Sequence, residues 1–138
     1  MKATHANKRA VHELAQFRYA LRRFLRFSES AARKCGVTPQ QHQLMLGVAG
    51  FTGRGCATVS ELAEFLQEKN HSVVGLVHRA VQSGLVKRKR DSVDRRVVVV
   101  QLTARGERIL LRLSDLHRRE IEDLGAVFPA KKASAGRA

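Results

Sequence analysis

The stretch from Ala57 to Gly106 leaves few choices of fold. Thr58-Val-Ser-Glu61 is a capping box, in which a threonine and a glutamate three residues later satisfy backbone donors at a helix start. Residues 57–66 therefore read as a short capped helix, and Gln67-Glu-Lys-Asn70 as a turn. Residues 71–84 read as a second helix that stops at Gly84. Val73, Leu76, Val77 and Ala80 fall on one face of it, while Ser72, Gly75 and Arg79 fall on the other. Residues 85–90, 91–96 and 97–102 then read as strand, loop and strand, the run Val97 to Val100 having strong β-propensity. Helix, turn, helix and basic hairpin in that order predict a helix-turn-helix with a wing.

The 138 residues suit one domain. Lys and Arg number 26 against 12 Asp and Glu, a net charge of +14, which favours a polyanionic partner. The basic residues concentrate at 8–34, 87–96 and 105–119. The first ten residues lack the apolar core of a secretory signal, and no apolar run is long enough to span a membrane. Two cysteines make no disulfide framework. The expectation is a cytoplasmic chain with no membrane partner.

Outside the central stretch, residues 9–34 are helical by period. Val11, Leu14, Phe17, Leu21, Phe24, Leu25 and Ala32 recur mostly three or four apart. Cys35-Gly36 ends this helix, and Thr38-Pro-Gln-Gln41 opens another with a good cap, a proline at the first turn and a second capping box. Gly50-Phe-Thr-Gly-Arg-Gly-Cys56 is a glycine-rich loop. Thr103 caps a long last helix striped by Ile109, Leu110, Leu113, Leu116, Ile121, Leu124 and Val127/Phe128.

The expected architecture is mainly α with a small β-hairpin wing: a winged helix-turn-helix that dimerises through its N- and C-terminal helices. The boundaries are a flexible N-terminus at 1–8, a single domain at 9–128 and a disordered tail at 129–138. Within the domain, the winged core spans 37–102 between dimerisation helices at 9–35 and 103–128. Leu14, Phe17, Leu21, Leu113, Leu116, Ile121 and Leu124 are the expected dimer contacts, since two long apolar stripes exceed what so small a core consumes. The alternative is that the two helices pack on each other within one chain.

Several segments together resemble the MarR family of bacterial transcription regulators. They are Val59-Ser-Glu-Leu-Ala-Glu-Phe-Leu66, Val73-Val-Gly-Leu-Val-His-Arg79, Gly84-Leu-Val-Lys-Arg88, Asp94-Arg-Arg96 and Leu102-Thr-Ala-Arg-Gly106. Gly36-Val-Thr-Pro-Gln-Gln41 is similar to that family as well. The likeness spans about residues 9 to 124, and it lies in order and spacing rather than in any one piece. It implies a homodimer that binds a pseudo-palindrome in double-stranded DNA, generally as a repressor. Carried over by position, the groove-facing residues are Asn70, His71, Ser72, Gly75 and Arg79. The wing residues are Arg90, Asp94, Arg95 and Arg96. Many members respond to a small phenolic or lipophilic effector, and the corresponding pocket would lie near Leu14, Phe17, Tyr19, Met45 and Phe51. Two residues depart from the pattern: His78 stands where the family often has an acid, and Ala80 where it usually has leucine.

Each residue also has a plainer reading. Asp94 could hold a neighbouring guanidinium ready for a narrow groove, or the wing could be a solvated basic turn. Gly75 within a helix suggests close approach of the backbone to DNA or to a neighbouring helix. Cys35, beside Arg33 and Lys34, is expected to be an ordinary helix-end cysteine, and Cys56 a packing residue. Cys35, His42 and His117 lack the paired spacing of zinc ligands, so no metal and no cofactor are expected. No nucleophile, base and acid fall into a catalytic arrangement, and the glycine loop lacks the Gly-Lys-Ser/Thr ending of a phosphate loop, so no enzyme is expected. The rivals to a sequence-reading regulator are a non-specific basic architectural protein on DNA and a winged-helix module that binds protein.

Overall fold

The computed structural model describes residues 4–127. The elements run α1 (His5–Lys34), α2 (Pro39–Gly50), β1 (Cys56–Ala57), α3 (Val59–Leu66), α4 (Asn70–Gln82), β2 (Val86–Arg90), β3 (Val98–Leu102) and α5 (Ala104–Val127). Helix α1 begins four residues ahead of the expected start, so part of the segment read as a flexible N-terminus is helical. Phe128 and the expected tail at 129–138 lie outside the described residues. The chain divides into two compact units. One comprises residues 32–114, and the other joins α1 up to residue 31 with α5 from residue 115.

The 32–114 unit is the winged helix. Both capping boxes form: Thr38 Oγ1 accepts from Gln41 N at 3.0 Å, and Thr58 Oγ1 accepts from Glu61 N at 3.1 Å. Glu61 is also clasped by the glycine loop, Arg54 donating from both terminal nitrogens to its carboxylate at 3.1 and 2.7 Å. Thr52 stiffens the same loop, donating to the Cys56 carbonyl at 2.8 Å and accepting from Arg54 N at 3.1 Å. The glycine-rich segment is thus a strap over the start of α3. Helix α3 ends at Gln67, a non-glycine residue in the left-handed region at φ 53°.

The apolar face of α4 behaves as its period predicts. Val73, Val77 and Ala80 are buried, together with Leu44, Met45 and Val48 of α2 and Leu62 of α3. At the Ala80 departure there is no exposed gap, because Ala80, Leu85 and Val86 are all buried. The sheet has the order β1-β3-β2 and is antiparallel throughout, with Val86 opposite Leu102, Arg90 opposite Val98 and Ala57 opposite Val100.

One junction ties these pieces together. Helix α4 ends with Gly84 N bonded to Val81 O and Leu85 N bonded to Ala80 O, a reversal that needs the positive φ of 73° at Gly84. Thr103 closes over that turn. Its hydroxyl donates to the Gly84 carbonyl at 2.6 Å and accepts from Gly106 N at 3.0 Å, while its own N–H donates to Leu85 O at 3.0 Å. Arg105 adds a bond from its guanidinium to the Ser83 carbonyl. A Cβ on Gly106 would run into the Leu85 carbonyl, so only glycine lets the first turn of α5 lie against this backbone.

In the other unit, α1 and α5 meet through aromatic edges. His117 is buried, with Phe24 and Phe27 edge-on to it at ring-centroid distances of 5.8 and 5.2 Å. The two helices therefore do pack within one chain, and yet Val11, Leu14, Tyr19 and Leu25 of α1 and Leu116 and Ile121 of α5 stay exposed. Leu113, expected at a dimer face, is instead completely buried in its own chain and cannot touch a partner. Leu113 lies on the apolar stripe of α5, on the side that the chain itself covers.

Two outcomes follow from this packing. Gly106→Ala should lower stability by about 2 kcal/mol, because the obstacle is backbone and cannot swing aside; an unchanged thermal midpoint would refute the close approach. For Glu61, the Arg54 guanidinium first and the Thr58 backbone N–H second bring its pKa from 4.5 down to about 2. A depressed carboxylate pKa stabilises the fold fully above pH 4.5 and loses that contribution as pH falls towards 2. Arg54 is half exposed, so solvent screening limits the effect to about 1 kcal/mol. Denaturant titrations across that window should show a steeper loss for the wild type than for Glu61→Gln, which keeps the cap but not the ion pair.

Candidate nucleic-acid interface

Two surfaces of the winged-helix unit are free of packing within the chain, and every residue expected to touch DNA lies on one of them. The first is the outward side of α4. Asn70, His71, Ser72 and Arg79 are exposed, and so are Val74 and His78, which sequence reasoning did not place in the site. His71, Val74, Gly75 and His78 recur at the three- and four-residue steps of one helical face. A Cβ on Gly75 would meet only Arg79 Nη1, at 3.4 Å, so no neighbouring helix explains this glycine. Val74, Gly75 and His78 together cost roughly 2 kcal/mol of helix propensity relative to alanine, at positions where intrachain packing demands none of them.

The start of α4 differs from the starts of α2 and α3. Lys69 occupies its N-cap and supplies no side-chain cap, leaving first-turn N–H groups without the protection that the two capping boxes provide elsewhere. The Asn70 amide turns back to Ser60 Oγ at 3.2 Å, which anchors the helix start to α3. A cleft of about 400 Å³ runs beside the outward face, lined by Gln40 and Gln43 of α2, Glu68, and Ser72, Leu76 and Arg79 of α4. The two glutamines were not anticipated, and their only signal is their position in the first two turns of a capped helix.

The second surface is the wing. Beyond Val86, Lys87, Arg88, Lys89 and Arg90 are all exposed, so β2 presents cations on both faces rather than on alternate ones. The loop at its tip is ordered by two aspartates. Asp91 Oδ2 accepts from Val93 N at 3.2 Å and from Asp94 N at 2.9 Å, and Asp91 N donates to Val97 O at 2.8 Å. Asp94 then takes Arg96 in a fork, Oδ1 from Nε and Oδ2 from Nη2, both at 3.0 Å, and accepts from Arg96 N at 3.1 Å as well. Arg90 Nη1 donates to the Arg95 carbonyl at 3.0 Å.

The expected pairing of Asp94 with a guanidinium is therefore with Arg96, while the exposed Arg95 side chain reaches into solvent. The hydrogen-bonded Arg96 side chain, followed by its backbone N–H, holds the Asp94 carboxyl below its usual range, so the pair stays charged at neutral pH. The sequence marks Asp91 only as part of the loop. Its signal is the Asp-x-Val-Asp spacing, which suits a side chain that bonds backbone two and three residues on.

The remaining predicted residues lie apart from this interface. Phe17 and Tyr19 belong to the helical unit, Met45 and Phe51 to the winged one. Met45 is completely buried, and Phe51 is half exposed against Phe65 at a centroid distance of 5.2 Å. Cys35 and His42 fall in the winged unit and His117 in the other. Among the described residues no three His, Cys, Asp or Glu side chains form a group that could hold a metal ion, and no helix is long and apolar enough to cross a membrane.

Comparison with known proteins agrees with this geometry. The MarR family model matches residues 36–97. The HTH-type transcriptional regulator YfiV of Bacillus subtilis is 39% identical over 71 residues, which cover 51% of this chain and 42% of that protein. The HTH-type transcriptional repressor MdtR of the same organism is 35% identical over 74 residues, covering 54% of this chain and 46% of that one. The matched region is thus less than half the length of either curated relative. A solved structure of an E. coli MarR mutant complexed with operator DNA shares the fold, with a TM-score of 0.66 at 19% identity over 96% of this chain and 93% of that one. The winged core of this chain, from residue 36 to the wing, is thus similar to the MarR family, and the fold is that of the solved E. coli MarR structure.

Proposed function

We propose that this chain is a non-enzymatic transcription regulator of the cytoplasm, a repressor that binds a pseudo-palindromic operator as a homodimer. Helix α4 enters the major groove, and the wing lays Arg95 and Arg96 against the adjacent minor groove and backbone. The observation that carries this reading is the conjunction, in one unit, of an α4 face left unpacked and an arginine loop fixed by its own carboxylates. A net charge of +14 supplies the long-range attraction to phosphate. The apolar residues that α1 and α5 leave exposed support the dimer, which would present two recognition helices to two half-sites. MdtR is described as a repressor and the E. coli protein was solved on its operator, and both properties are extended here to this chain.

Release by a small phenolic or lipophilic effector is part of the same proposal. It rests on the likeness to the MarR family.

Fluorescence anisotropy with duplex from the chain's own upstream region, against scrambled duplex at physiological salt, tests the central reading. A preference of about 10³ is expected. Equal and steeply salt-dependent affinity for both would make the protein an architectural one, and no affinity for either would favour a protein-binding module.

The wing offers a sharper test, because two effects oppose each other in Asp94→Asn. Removing a negative charge should tighten binding to a polyanion, whereas releasing Arg96 from its fork should weaken it. Preorganisation is expected to win, with affinity falling about threefold and Arg96→Ala falling about tenfold. Tighter binding by Asp94→Asn would show that the fork does not matter.

A further inference from the structure

The recognition face of α4 carries one feature that phosphate attraction does not use. Val74 is 50% exposed at one edge of the outward surface, beside His71 and His78, with Gly75 at the centre of that surface and Ser72 and Arg79 across it. An exposed valine alone means little. Here it stands where alanine, glutamate or lysine would serve the helix better, next to a glycine that serves it worst. Both choices reduce local helix stability, and neither is repaid by packing: Gly75 has only the Arg79 guanidinium near its would-be Cβ, and Val74 faces outward.

We infer that Val74 reads a thymine methyl group in the major groove, with Gly75 beside it letting the helix backbone come close enough for the contact. This inference rests on the proposed DNA-binding role and deepens it. The C5-methyl of thymine is the apolar group that unmodified B-DNA displays in the major groove, where every other base-edge feature used for recognition is a donor or an acceptor. A valine on a helix is held in one strongly preferred rotamer, so its methyl groups are placed before DNA arrives and lose little freedom on binding. His71 beside it, and Ser72 and Arg79 across the outward surface, offer hydrogen bonds to base edges and phosphates, which fix register around the apolar contact. Position 75 sits one residue further round the same face, and a side chain there would hold the helix away from the bases.

The test uses the duplex that the full-length protein itself enriches from a random-sequence pool. Each thymine of that duplex is replaced in turn by deoxyuridine, which removes the methyl group and leaves every hydrogen-bonding group in place. Burial of about one methyl per half-site predicts that one uracil position weakens wild-type binding about fourfold. Val74→Ala, which favours the helix and leaves the core untouched, should bind thymine and uracil duplexes equally, both at the weaker affinity.

Uracil-insensitive binding by the wild type at every position would overturn the inference while leaving the DNA-binding reading intact. A uracil penalty that survives in Val74→Ala would assign the methyl contact to another residue and overturn it equally. If the pool yields no enriched sequence at all, the sequence-reading role fails, and the inference fails with it. Loss of affinity for random duplex by Arg96→Ala would show in that case that the wing still binds DNA.

Discussion

The winged-helix unit hangs on the backbone contact between Leu85 and the first turn of α5. Three elements end or begin there: α4 terminates through Gly84, β2 departs from Val86, and α5 starts at Ala104. The Leu85 carbonyl accepts from Thr103 N, and Gly106 lets the α5 backbone come against the same peptide. Thr103 Oγ1 joins both sides, donating to Gly84 O and accepting from Gly106 N. Apart from the Arg105 guanidinium on the Ser83 carbonyl, the junction is made of main chain and one short hydroxyl, so it has little freedom to lose and few ways to distort. The angle at which the wing leaves α4 is therefore set by main chain, and the arginine loop inherits its position from it.

Charge plays two distinct roles in the molecule. Most cations sit on exposed helical and strand positions, where their pairwise contacts are weak; Arg9 with Glu13 and Arg118 with Asp115 are both well-exposed neighbours on a single helix. These residues set the overall field. The forks at Arg54–Glu61 and Asp94–Arg96 are different in kind, because each joins a loop to a defined geometry through two parallel hydrogen bonds. One straps the glycine loop to the helix-turn-helix, and the other shapes the wing. Three acids, Glu61, Asp91 and Asp94, thus order loops, while the exposed cations outside these forks contribute to a net charge of +14.

Most of the winged core was legible in the sequence, because it is written in short-range chemistry. Thr38 with Gln41, Thr58 with Glu61, Gly84 and Thr103 act on backbone within a few residues, and each forms the structure its spacing implies. The rest depends on partners further off or on exceptions to propensity. The Arg54 clasp spans seven residues and a change of element, and the left-handed Gln67 ends α3 without the glycine that usually marks such a turn. Leu113 shares the period of the α5 stripe with Leu116 and Ile121, yet the fold buries the first completely and exposes the other two. Periodicity reports that a helix has an apolar side; it does not report which part of that side the chain itself covers.

Local propensity and the fold disagree at α4, and the way they are reconciled bears on what the helix is for. Its inward face is made of Val73, Val77 and Ala80, all buried, and its C-terminus is closed by the Gly84 turn under Thr103. Those tertiary contacts hold a helix that its own composition would leave marginal in isolation. Beyond Asn70, which anchors the helix start to Ser60, the outward residues are thereby released from any duty to the helix: histidine, serine, valine and glycine are admissible there because the scaffold beneath carries the stability. A surface so relieved can be set by what it touches. The same division recurs in the wing, where the aspartates and the Arg90 bond to the Arg95 carbonyl fix the loop backbone, and Arg95 projects from it with its guanidinium uncommitted. In both places the fold spends its contacts on holding backbone still and leaves the side chains that face outward free to bind.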